Sequence, residues 1–229
     1  MVKLVDKIPE LSVISAEWVK IKCLYNAYPN YPNVMFWVQD ETGVIAMTDG
    51  NMIIYNNGGD TEELAEFVNV INPACVFSDY GTLCAIGKNP KERINVVYRK
   101  ADIEGEAKCD TLSSKEIYDL LDVDGLSLPE YPYFAVDYCH RLNNGFADFF
   151  AIKDKCCAVT FNCGDMAIMN GIASHQKGMG SVALKGVLQK NYGRDFLVCC
   201  RDSVFEFYKK NGFCHLNFGG YWVKDDASD

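Results

Sequence analysis

The sequence predicts an α/β fold, a mixed and mostly antiparallel sheet with helices on both faces. Three observations predict it. Apolar runs in the second half are joined by turns too short for a crossover, so they are antiparallel neighbours. A helix and another apolar run follow them, a strand–helix–strand crossover that adds a parallel strand. The first half has a similar outline, with turn-linked strands before a helix.

In the first half, Phe36-Trp37-Val38-Gln39 and Val44-Ile45-Ala46-Met47 flank the turn Glu41-Thr42-Gly43. Met52-Ile53-Ile54-Tyr55 follows Asp49-Gly50-Asn51, a hairpin signal. After the loop Asn56-Asn57-Gly58-Gly59, Asp60 with Glu63 reads as a helix start. Leu64, Phe67, Val68 and Ile71 then recur on one helical face. Asn72-Pro73 ends that helix, and Ala74-Cys75-Val76-Phe77 reads as a buried strand.

The polar stretch Arg99 to Thr111 is the expected linker. It divides the chain into residues 1–110, a smaller α/β part, and residues 111–229. A short helix over Ser114 to Leu121 comes next, and Leu128-Pro129-Glu130-Tyr131-Pro132 is a further break. Ala147 to Ile152, Cys156 to Phe161 and Met166 to Ser174 read as strands linked by Lys153-Asp154-Lys155 and Cys163-Gly164-Asp165. A glycine turn and a helix running to Lys190 follow, then the strand Phe196 to Cys200. Ser203 with Glu206 fits a capping box for a helix over Val204 to Asn211, which Gly212 stops. A last apolar stretch, Phe213 to Val223, closes the fold.

Bulk properties remove several functional classes. The net charge of −9 argues against nucleic acid and against anionic membranes, both of which want a basic surface. No apolar run is long enough to cross a bilayer, and the first residues lack a secretory apolar region. There are 11 cysteines and 3 histidines without a C-x-x-C spacing, so no metal site is expected. The cysteines read as free thiols in a cytoplasmic protein. Cys199 and Cys200 read as strand residues, since no activating partner is visible. The cluster Tyr25, Tyr28, Tyr31, Phe36 and Trp37 reads as core or interface filling rather than a stacking site.

The chemistry concentrates between Ile168 and Gly193. An apolar strand ends at Ile172-Ala173-Ser174, and His175-Gln176-Lys177-Gly178-Met179-Gly180-Ser181 leads into a helix. Two glycines at alternate positions let the backbone approach a bulky anion. The helix start offers unpaired N–H groups and the positive end of a dipole at the same place. A phosphate-bearing ligand follows from these features, despite the acidic chain. A tight structural turn is the bland alternative.

The second half resembles the GNAT superfamily of acyl-CoA-dependent N-acyltransferases. The resemblance runs from about Tyr131 to the C-terminus and rests on two motifs in order. Gly178-Met179-Gly180-Ser181 is similar to the family's R/Q-x-x-G-x-G/A turn, and Phe207-Tyr208-Lys209-Lys210-Asn211-Gly212-Phe213 to its helix and exit. Strict spacing sets His175 where the family has arginine or glutamine; a one-residue gap sets Gln176 there. The first half resembles the degenerate N-terminal halves of tandem members, which have lost the cofactor site.

The resemblance implies acyl transfer, with acetyl the expected group, from acetyl-CoA as cosubstrate to a primary amine. The diphosphate would sit on the amides of Lys177, Gly178, Met179, Gly180 and Ser181, with Gln176 beside it. Main-chain groups of Ile172, Ala173 and Ser174 would hold the pantetheine arm, and Tyr208 would protonate the leaving thiolate. Ser203 is first a helix cap, with a secondary CoA contact as its other reading. His140 and Asp137 fall in the region that lines acceptor sites in the family. The general base is left unassigned. The acceptor is a small molecule or peptide amine, and the acidic surface mildly favours a cationic one. Monomer and homodimer both stay open. The alternative function is a CoA-binding or regulatory module of the same shape without turnover.

Overall fold

The computed structural model describes residues 1–224. In chain order the elements are β1 (Val2–Leu4), α1 (Ala16–Ala27), β2 (Val34–Gln39), β3 (Gly43–Thr48), β4 (Asn51–Asn56), α2 (Thr61–Ile71), β5 (Cys75–Asp79), α3 (Tyr80–Ala85) and β6 (Arg93–Lys100). They continue with α4 (Ser114–Leu121), α5 (Tyr131–Asn143), β7 (Ala147–Ile152), β8 (Cys156–Cys163), β9 (Met166–Ser174), α6 (Met179–Lys190), β10 (Asp195–Cys200), α7 (Asp202–Lys210) and β11 (Cys214–Val223). The chain forms two compact units. Among the described residues the first comprises Met1–Val97, Cys199–Lys209 and 215–224; the second comprises Tyr98–Val198 with Lys210–Cys214.

In the first unit β2, β3 and β4 form an antiparallel meander, with β1 antiparallel on the outer edge of β2. Helix α2 crosses over, and β5 returns parallel to β4. The turns explain the meander: Asp40 and Asp49 adopt positive φ, which short polar side chains tolerate. Helices cover both faces of this sheet. Leu64 and Val68 of α2 share a core with Trp37, Ile45, Met52, Ile54 and Val76. Residues alternate along β4, so Tyr55 points the other way and meets Trp18 of α1.

In the second unit β7, β8 and β9 form an antiparallel meander, α6 crosses over, and β10 returns parallel to β9. Helices again cover both faces. Ile117, Leu120 and Leu121 of α4, with Phe134 and Tyr138 of α5, share a core with Cys157, Val159 and Ala173. On the opposite face Phe150 lies against Gly186 of α6. The capping box of α4 is complete: Ser113 Oγ accepts from the Glu116 amide, and Glu116 accepts in return from the Ser113 amide.

Four details differ from the sequence expectations. The two units interleave, whereas a single cut at residue 110 keeps chain order. The physical reason is β11, which pairs antiparallel with β5, from Gly219↔Asp79 to Val223↔Cys75. Residues 225–229 of the expected second part lie outside the described residues. Pro132 does not interrupt the chain but sits in the first turn of α5, where its missing N–H costs nothing. Helix α6 starts at Met179, so Gly180 and Ser181 lie in its first turn rather than in the preceding loop. Helix α7 starts at Asp202, which puts Ser203 inside the first turn and not at the cap.

Candidate functional site

The second unit brings Ile172 to Ser181 together at the end of β9 and the start of α6. Strands β9 and β10 pair through Asp195↔Met166, Phe196↔Ala167 and Leu197↔Ile168. Beyond Ile168 that edge of β9 has no strand partner among the described residues, although β9 runs on to Ser174. Its other edge stays paired to β8, at Ala158↔Ile172, Cys157↔Ala173 and Cys156↔Ser174. The parting of β9 from β10 leaves main-chain groups available to an extended ligand carrying amides.

Strand β9 also carries a bulge. Val159 pairs with Gly171 and Thr160 with Met169, so Asn170 is an extra residue without a partner on β8. A bulge bends the strand and re-aims side chains, and here it falls just before the residues expected to hold the pantetheine arm.

The turn after β9 is open. Residues 174–178 are exposed. Gly178 is the N-cap of α6 at φ 85°, a left-handed conformation, and no side chain caps this helix. A methyl group built at Gly178 meets no atom within 4 Å. The amide of Met179 donates to the Gln176 carbonyl at 3.1 Å. The rest of the first turn lacks a side-chain acceptor, and the positive dipole end faces outward, as an anion requires. Lys177 is exposed in the same turn and adds a cation. His175 is turned elsewhere: its Nε2 lies 2.9 Å from the Leu120 carbonyl, and its amide donates to the Lys155 carbonyl. Of the two residues the spacing left open, Gln176 is thus the one whose side chain is not engaged by α4.

The equivalent segment of the first unit is built against anions. Asp60 caps α2 with its own carboxylate, accepting from the amides of Glu62 and Glu63 at 2.9 and 3.2 Å. A negative charge already occupies that helix start, and Glu62 and Glu63 add two more. Strands β4 and β5 pair through Ile53↔Phe77, and just beyond it the buried Ser78 hydroxyl donates to the Ile54 carbonyl at 2.7 Å. A side chain therefore takes up a main-chain acceptor where the strands cease to pair.

Ser203 and Tyr208 lie on α7, in the first unit. Ser203 is exposed. Tyr208 is buried, 3% exposed, with its ring edge-on to Phe207 at 5.1 Å. Burial pushes its hydroxyl well above the ordinary phenol value, so it stays protonated across neutral pH. Burial likewise pushes the Cys199 and Cys200 thiols up, to about 11 and about 12, which makes them poor nucleophiles. All the cysteines are free thiols. Among the described residues there is no group of three metal-ligating side chains, and no helix is long and apolar enough to cross a membrane.

The sequence reading passed over one charged cluster in the first unit. Glu17 of α1 is 2% exposed; its Oε2 accepts from Ser15 Oγ, and its Oε1 has no partner among the described residues. Burial raises its carboxyl above the ordinary value. Lys20, one turn on, donates to the Tyr221 hydroxyl at 3.2 Å and lies 4.8 Å from the Phe77 ring centre. The only signal was Glu17 and Lys20 set among the apolar residues of a helix that also carries Lys22 and Asn26.

No protein-family model matches the sequence, and no curated protein matches it. Solved structures do. A GCN5-related N-acetyltransferase from Sphaerobacter thermophilus superposes with a TM-score of 0.55 at 9% identity, covering 90% of each chain. A tandem GNAT protein from the clavulanic acid biosynthesis pathway superposes at 0.51 and 11% identity, covering 93% of this chain and 95% of that one. A conserved protein of unknown function from Staphylococcus epidermidis gives 0.53 at 11% identity, over 86% and 96%. The chain therefore has the fold of the GNAT acetyltransferases, in its tandem form. At these identities the likeness speaks for the fold alone.

Proposed function

We propose that this protein transfers an acyl group, acetyl in the first instance, from acyl-CoA to a primary amine. One observation carries the reading: β9 parts from β10 after Ile168 and runs straight into an exposed helix start with no side-chain cap at Gly178. An extended donor with a diphosphate at one end and amides along its arm matches that arrangement. The diphosphate lies on the amides of Lys177 to Ser181, with the side chain of Gln176 beside it. The arm follows the main chain of Ile172, Ala173 and Ser174. An amide of that segment facing the thioester oxygen stabilises negative charge as it develops there.

In the transfer, the neutral amine nitrogen bonds to the thioester carbon while the carbon–sulfur bond breaks. The proton shed by nitrogen goes to solvent, and the departing sulfur takes a proton from the acid. The GNAT-like motif around Phe207 to Phe213 supports Tyr208 as that acid, and its protonated state at neutral pH suits the role. Ser203 is kept as a secondary CoA contact, consistent with its exposure. The closed segment around Asp60 supports a single donor site, in the second unit.

Release of free thiol from acetyl-CoA in the presence of an amine panel tests the activity. Thiol release dependent on amine supports transfer. Binding of CoA without thiol release favours the module without turnover, the reading that the deep burial of Tyr208 most supports.

A further inference from the structure

The register of β9 decides which of its main-chain groups face the edge that β10 leaves unpaired. In an antiparallel ladder the N–H and C=O of one residue point to the same neighbour, and successive residues alternate. The His175 amide donates to the Lys155 carbonyl at 2.8 Å, on the β8 side. Counting back, Ala173 and Gly171 face β8. Ile172 and Ser174 turn their N–H and C=O to the edge that has no strand partner among the described residues. The same phase holds one strand over. Ala173 pairs with Cys157, and Cys157 with Ala151. Ala151 faces away from β8: its amide donates to Cys109 Sγ at 3.3 Å, and its carbonyl accepts from the Asp110 amide at 3.0 Å.

A bulged strand has an alternative register. Asn170 is the extra residue, and moving the bulge toward Ser174 shifts each residue it passes by one place. A slip of one residue exchanges both the faces and the edges of a strand. It would turn the Ala173 groups to the unpaired edge and take those of Ile172 and Ser174 into the ladder with β8.

The end of α4 holds the observed register. Residues 171, 173 and 175 share one face of β9, and all three meet the last turn of α4. A methyl group built at Gly171 already lies 3.4 Å from Leu121 Cδ2, so the side chain of Ile172 does not fit in its place. Ala173 is 5% exposed and shares a core with Leu120 and Leu121. His175 reaches the same turn with its ring, its Nε2 lying 2.9 Å from the Leu120 carbonyl. That carbonyl belongs to the helix end, where no helical amide is left to donate. A carbonyl only accepts, so Nε2 carries the hydrogen and donates it. Gly171 and Ala173 admit the helix, and His175 ties the strand to it.

We propose that His175 is a positioning residue: its bond to α4 fixes the register of β9 beyond the bulge, so that Ile172 and Ser174 present their main-chain groups to the acyl-CoA arm. The proposal rests on the acyl-transfer reading above and deepens it, since it names the two residues that meet the arm and the one that aims them. His175 acts through those two residues and not on the donor itself.

The test uses the full chain and combines residue-resolved amide hydrogen exchange with a CoA titration. In the parent without CoA, the Ala173 amide is expected to exchange slowly and the Ile172 and Ser174 amides quickly. CoA should slow the latter two about tenfold or more. His175→Ala should speed exchange at Ala173 and weaken CoA, each by about tenfold. In turnover the loss should fall on KM for acetyl-CoA rather than on kcat, because saturating donor restores the register. His175→Gln, whose side-chain amide reaches the same carbonyl, should bring exchange and affinity back to within about threefold of the parent. Fast exchange at Ala173 with slow exchange at Ile172 and Ser174 in the parent overturns the proposal without any variant. CoA affinity unchanged in His175→Ala, or lost equally in His175→Ala and His175→Gln, also overturns it. Failure of the parent to bind CoA, with the exchange pattern present and sensitive to His175→Ala, overturns the acyl-transfer reading instead and leaves the register lock standing, because that exchange is read without CoA.

Discussion

Ile168 and Leu197 are the last residues at which β9 and β10 pair. Up to that point two parallel strands share a ladder; beyond it that edge of β9 has no strand partner among the described residues as far as Ser174. Strand pairing that stops short of the strand ends is costly unless something else meets the main chain. The acyl-CoA arm proposed above is such a partner.

Gly178 bears directly on this site. Its φ of 85° is one that a β-branched residue adopts only under strain, at a cost of about 1–2 kcal/mol. Gly178→Val is expected to lower the melting temperature by a few degrees and weaken CoA at least tenfold. Thermal melts and a CoA titration of the variant check both. An unaltered affinity would detach the turn from the diphosphate.

Tyr208→Phe keeps the buried ring and removes the proton. The expected result is a fall in kcat of about 100-fold, the lower end for loss of a general acid, with CoA affinity retained. Steady-state kinetics and a CoA titration measure the two separately. An unchanged kcat would return Tyr208 to the core.

Gly186 tests the packing that fixes α6 beneath the site. A methyl group there would fall inside the Phe150 ring. Helix propensity alone predicts that Gly186→Ala stabilises by about 1 kcal/mol. Overpacking predicts the reverse, a loss of about 1–3 kcal/mol, and denaturant unfolding reads the sign.

Glu17 gives the fold a pH dependence. Its carboxyl sits above the ordinary value of 4.5 because it is buried, so between 4.5 and the raised value the folded state holds the proton more often. Stability therefore falls as pH rises through that window, and the deficit persists above it. Glu17→Gln should be more stable than the parent at about pH 8 and no more stable at about pH 4. Melts across that range decide it.

The strands of the two meanders and the glycine turn were legible because their signals are local, whereas β1 and β6 were not read. Short turns force antiparallel neighbours, and the Gly178 turn declares itself in seven residues. Helix α1 was not legible. Trp18, Val19, Ile21, Cys23 and Leu24 are all buried, so the helix shows no polar stripe against which to read a period. The pairing of β11 with β5 joins residues far apart in sequence, which no local pattern reports. The Asn170 bulge and the bond from His175 to α4 depend on how β8 meets β9 and how α4 meets the sheet, so they appear only in three dimensions. Ser203 misled because a capping-box pattern starts one residue inside a helix that begins at Asp202.

Isothermal titration of the full-length chain with CoA, paired with a melting curve, tests the central claim most directly. The account predicts one CoA per chain and, at about 100 times the dissociation constant, about 2.7 kcal/mol of added stability. No heat and no shift in melting at millimolar CoA would contradict it.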